Sequence, residues 1–178
     1  MVPEPRTFKE LVEADLRRAA RLIIKVQDEI DPQFRIATPE GDYHLAVTLP
    51  RDPHERMMML RRVTAFMAWE KALGFVLASE LHVPDCVCAL GVMQEEVVAC
   101  LSQITRTQKP WTAANFGKVE WMDRSLIGQE MIDLLPRSAL GDAGRAMSKT
   151  EVAMLEKWFG TDGIYPAVHI ETGEARGV

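Results

Sequence analysis

Apolar residues recur at helical spacing most persistently between residues 51 and 82. From Met59 one face collects Met59, Val63, Phe66, Leu73, Leu77 and Leu81. Asp52 is suited to cap this helix and Pro53 to open it, because the first helical N–H has no partner to lose. Further along, Ala65 to Trp69 and Ala72 to Ala78 leave almost no polar side, and a helix apolar all round is normally buried. Pro84 bars its continuation. The pattern therefore predicts one long, buried central helix. It does not predict a membrane span: the apolar runs fall short of the roughly 20 residues required, and Glu70–Lys71 divides them.

A second helical pattern opens at a capping box, with Thr7 as N-cap and Glu10 three residues on. Phe8, Val12, Leu16, Ala19, Ile23, Val26 and Ile30 then follow at gaps of four and three. That spacing fits an amphipathic helix on its own domain, and equally a heptad-like seam between two copies. Arg17, Arg18, Arg21 and Lys25 gather on the outer side, where a charge cluster is usually solvated.

Alternation with a period of two predicts strands elsewhere. Residues 33–38 and 42–49 form a hairpin about Pro39-Glu40-Gly41. In its second arm Tyr43, Leu45 and Val47 alternate with His44, Ala46 and Thr48, which puts His44 on the more exposed side. Residues 83–92 are apolar on both faces and read as an interior strand. For 94–106, Glu95 and Glu96 early and Arg106 late favour a short helix over a strand. A loop over 109–117 carries Trp111 and Phe116, a possible recognition surface or a plug over the core. A short strand over 118–122 and a helix capped by Asp123 or Ser125 come next. A small-residue linker covers 137–147, and Ser148-x-x-Glu151 opens a further helix. A last strand at 164–170 and a flexible tail at 171–178 complete the pattern. Residues 1–170 are thus expected to form a single α+β domain, a small and mostly antiparallel sheet packed on the central helix.

Composition narrows the function classes. The chain of 178 residues carries a net charge of −5 and an isoelectric point near 5.4, which disfavours a dedicated nucleic-acid binder. The first residues contain Pro3, Glu4 and Pro5 and no apolar run of the kind a leader needs. Three cysteines are an odd count. Cys86-x-Cys88 with a distant Cys100 has no zinc spacing, so reduced core thiols and a cytoplasmic location are expected. Ten methionines, three of them at Met57, Met58 and Met59, suit gap filling or an adaptable binding surface. Nucleotide-loop, zinc-protease and nucleophile-elbow motifs are absent. No metal or cofactor is implied.

One residue breaks the pattern. Glu70 falls on the apolar face of Phe66 and Leu77, with no partner at three or four residues on its own helix. A buried carboxylate needs a partner or a raised pKa. Glu70 is therefore a structural carboxylate, paired with an arginine or a backbone N–H from another element or set at a dimer seam, or else a general base or metal ligand in a pocket, with His44 as the companion of a base. Two functions follow. The favoured one is a non-enzymatic binding or regulatory domain, expected to be a homodimer, acting through Ile23 and Val26 on the first helix or through the loop of Trp111 and Phe116. The other is a small metal-independent enzyme built on Glu70 and His44.

Overall fold

A computed structural model of the chain describes residues 7–26, 29–48, 50–106 and 114–134, together with the backbone of 168–171 and 174–175. Its elements run α1 (Phe8–Val26), β1 (Gln33–Thr38), β2 (Gly41–Ala46), α2 (Pro53–Trp69), β3 (Gly74–His82), β4 (Asp85–Met93), β5 (Glu96–Arg106), β6 (Ala114–Phe116), β7 (Glu120–Trp121), α3 (Gln129–Ile132), β8 (Val168–Glu171) and β9 (Glu174–Ala175). A 3-10 turn at Arg124–Leu126 precedes α3. The fold is α+β. One sheet runs β6-β5-β4-β3-β1-β2-β8-β9, with β7 also on β5, and every pairing among these strands is antiparallel.

The central helix ends earlier than its pattern suggests. Asp52 caps it as expected, accepting from the Glu55 N–H at 2.9 Å. Pro53 opens it, but Trp69 closes it. Glu70 is the C-cap, and Lys71 follows in the left-handed region at φ 53°. Ala72 N–H donates to the Met67 carbonyl at 2.8 Å, and Lys71 N–H to that of Ala68 at 3.3 Å. These two bonds form a Schellman stop, with lysine where glycine is usual. The apolar run after it is therefore not helix. It is β3, an interior strand whose two faces are both covered, which is why it has no polar side. Expecting one long buried helix over 51–82 was incorrect: α2 buries only Val63, Phe66 and Met67.

Residues 94–106 also differ from expectation. They form β5, which pairs with β4 from Cys86↔Gln103 to Met93↔Glu96. The two strands join through Gln94 and Glu95, with Gln94 at φ 53°. That is a hairpin turn without the Asn-Gly signature that would announce it. The expected first hairpin is present, Gln33↔Ala46 to Thr38↔Gly41, with Gly41 at φ 137° in its turn. Asp123 caps as predicted, but for the short 3-10 turn. The expected linker at 137–147 and the helix opened by Ser148 lie outside the described residues.

Strand register sorts the core into two clusters. Phe34, Leu45, Leu77, Leu90 and Ala99 align across one face, where Val63, Phe66 and Met67 join the same cluster. On the other face Val76, Ala78, Val87, Ala89 and Cys100 meet Val12, Leu16, Ala19 and Ile23 of α1. Thr7 caps α1 through the expected box, with Thr7 N–H to Glu10 Oε2 at 2.7 Å and Glu10 N–H to Thr7 Oγ1 at 3.3 Å. Gly91 lets α1 approach, since a Cβ there would overlap Val12 and Phe8.

Candidate functional site

Polar chemistry concentrates between α1 and the sheet. Arg35 alternates with Phe34 and Ile36 along β1, so it projects to the α1 face. Its guanidinium meets Asp15 of α1 in a fork, Nε to Oδ2 at 2.6 Å and Nη2 to Oδ1 at 2.9 Å, and reaches Asp42 of β2 at 3.0 Å. Asp15 is buried, and a buried carboxylate is stable there because a bidentate guanidinium satisfies both oxygens.

His44 lies directly opposite Arg35 in the register. It is half-buried beneath α1, not on an open face as its alternation suggested. Its Nδ1 faces the Arg18 guanidinium, and its Nε2 is sealed from solvent with no hydrogen-bond partner among the described residues. Burial, then the positive charges of Arg35 and Arg18, push the imidazole down to about 4, against a smaller opposing pull from Asp15. His44 is thus neutral at physiological pH. Since a guanidinium only donates, Nδ1 must be the acceptor and Nε2 must carry the proton. A cavity of about 10 Å³ beside Asp15, Arg18, Arg35 and His44 has room for one water at most.

Glu70 sits across the sheet from this cluster. It is half-buried at the end of α2, and it accepts from the Tyr43 hydroxyl at 3.2 Å. Tyr43 packs edge-on against Phe66, ring centroids 5.1 Å apart. Burial first, and then the Glu70 carboxylate, push the Tyr43 hydroxyl up to about 12. Tyr43 and His44 are consecutive on β2 and so point to opposite faces. The expected pairing of Glu70 with His44 therefore does not form, and the partner that Glu70 meets across the chain is the Tyr43 hydroxyl rather than the arginine or backbone N–H expected.

A third group lies at the far end of β3. Glu80, His82 and Asp85 bring ligand-type atoms within 4.8 Å of one another. Their positions follow from register, because His82 pairs with Asp85 and Glu80 shares the His82 face. Arg106 enters this group, contacting Glu80 Oε1 and placing Nε 3.0 Å from Asp85 Oδ2. The cation that these carboxylates hold is the chain's own guanidinium. His82 Nε2 lies 3.4 Å from Glu29.

The remaining expected site residues are dispersed. Ile23 is 3% exposed and packs on its own sheet, whereas Val26 is 55% exposed. The face of α1 read as a possible dimer seam is thus largely occupied within the chain. Phe116 lies in β6, partly buried against the α1-side cluster. Trp111 lies outside the described residues. Cys86 and Cys100 are buried and Cys88 half-buried. Burial lifts the thiols of Cys88 to about 11 and Cys100 to about 12, so both stay protonated.

Sequence reasoning missed Arg35, Asp15, Arg18, Glu80 and Arg106. The available signal was a charge set inside an apolar alternation, as with Arg35 between Phe34 and Ile36, or Glu80 between Ser79 and Leu81. Among the described residues no helix is long and apolar enough to cross a membrane. No protein-family model matches the chain, and comparison with curated proteins and with solved structures gives no significant match.

Proposed function

We propose that this domain is a non-enzymatic binding module that acts through protein–protein contacts on the outer face of α2. The observation that carries the reading is the set of exposed apolar side chains on that face, which surround the exposed Arg61 and His54. At 100° per residue, Met57, Met58, Ala65, Ala68 and Trp69 share one side of α2, opposite Val63, Phe66 and Met67 in the core. Met57 is 44% exposed and Trp69 38%, and Leu73 just beyond the helix is 42% exposed. Exposed tryptophan and methionine beside arginine, here Arg61 and Arg62, is the composition enriched in interface cores. The polar clusters support the same reading, since their charged groups are engaged with one another.

The first partner to test is a second copy of the chain. Light-scattering mass measured across a concentration series is expected to rise for the unaltered protein. It is expected to stay at the monomer value for Trp69→Glu, with helix content unchanged. A monomer at every concentration removes self-association. Affinity capture, with the same two proteins compared, then decides whether the α2 face engages a different protein. Equal capture by both removes the α2 reading.

A further inference from the structure

We propose that His44, with Arg18 and Arg35, forms a proton-sensitive clasp that holds α1 against the β1–β2 hairpin at neutral pH and loosens it in acid. Neutral His44 fits its place because Nδ1 offers a lone pair to Arg18. Protonation removes that lone pair and turns an N–H toward a group that can only donate. It also adds a third positive charge beside Arg18 and Arg35. The carboxylates nearby are already engaged: Asp15 of α1 is bidentate on Arg35, and Asp42 of β2 binds the same guanidinium. Among the described residues, the further strand beside β2 at this position is β8, whose backbone pairs His44 with Val168. Protonated His44 gains a second donor, while its Nε2 already lacks a partner among the described residues.

Loosening follows from linkage. With α1 docked, His44 binds its proton only near pH 4. With α1 lifted, its cover and the Arg18 charge go while Arg35 stays opposite on β1, so the imidazole titrates above that value and toward its ordinary one of about 6.5. The opened state therefore binds protons more tightly. The penalty on the docked state is absent above about pH 6.5, grows as pH falls, and is complete below about pH 4. Opening still requires separating Val12, Leu16, Ala19 and Ile23 from the sheet and parting Asp15 from Arg35. Acid changes only the proton-linked part of that cost. Local opening of one element, with the rest of the sheet closed, is an ordinary native-state event.

The test is native-state amide exchange of α1, with protection factors referred to the intrinsic rate at each pH, together with the imidazole nitrogen signals of His44. The expected result at neutral pH is an Nε2–H tautomer. Between about pH 7 and pH 5 the opening of α1 should rise several-fold, up to a limit of roughly 20-fold set by a full return of His44 to its ordinary proton affinity. The β3 and β4 amides should show no such rise. In His44→Gln, whose amide oxygen can still accept from Arg18, the dependence should vanish. The same α1 response in His44→Gln, or a free His44 titration near 6.5 with α1 unaffected, overturns the proposal. If His44→Gln does not fold, Arg18→Met serves instead. Removing the facing guanidinium should raise the His44 titration, and an unchanged titration also overturns the clasp.

Discussion

The two faces of this sheet are buried in different ways. Beneath α2 the cluster is apolar throughout, from Phe34 and Ile36 through Phe75 and Leu77 to Leu90 and Val92. Its polar neighbour, the Tyr43–Glu70 bond, lies at the edge. Beneath α1 an apolar middle, Val76, Ala78, Val87 and Ala89, is flanked by two ion clusters, Arg35 with Asp15 and Asp42 at one end and Arg106 with Glu80 and Asp85 at the other. Apolar contacts are non-directional and tolerate adjustment. Buried ion pairs fix one relative placement of helix and sheet, and they are costly to leave half-made. The α2 face should therefore carry more of the stability, and the α1 face more of the positional definition.

Three substitutions sharpen that contrast, in descending order of effect. Phe75→Ala removes a fully buried ring from the α2 face. Its expected cost is about 4 kcal/mol, read as a lowered urea midpoint for the whole fold. A loss under about 1 kcal/mol would show that this face is not the main source of stability. Asp15→Ala leaves Arg35 with Asp42 alone and should cost about 3 kcal/mol. The larger share of that loss should appear as faster amide exchange in α1 than in β3. Equal loosening of both elements would break the assignment of positional definition to the α1 face. Gly91→Ala places a methyl where Val12 and Phe8 already stand, for about 2 kcal/mol. It should displace the Phe8 ring signals and leave those of Phe75 unchanged.

Much of the fold was legible in the sequence where a local device states it. Thr7 with Glu10, Asp52 with Pro53, and the turn at Pro39-Glu40-Gly41 each specify a boundary through their own atoms. The α2–β3 junction was not legible, because its helix stop uses Lys71 in a conformation that glycine normally marks. The run from Ala72 to Ala78 then looks alike whether it is a buried helix or an interior strand. β5 was obscured in a similar way: Glu95, Glu96 and Arg106 mimic helix-terminal charges, while the turn residue Gln94 gives no hairpin signal. Of the polar groups, Glu70 stood out because it interrupts an apolar face. Its partner Tyr43 did not, since 27 residues separate them. Separations of 20 and 26 residues likewise hid Arg35 from Asp15 and Arg106 from Glu80, whose meeting depends on strand order.

The strand order also bears on how the chain assembles. β3, β4 and β5 pair through two-residue turns, so almost every contact in this meander joins close neighbours in sequence. The β1–β3 pairing, in contrast, closes a loop that contains β2 and all of α2. Loop closure is unfavourable until the contacts that reward it have formed. The meander is thus the part of the sheet able to organise first. The β1–β2 hairpin and α1, with Arg35, His44, Asp15 and Arg18, complete their shared cluster only on an existing β3 edge.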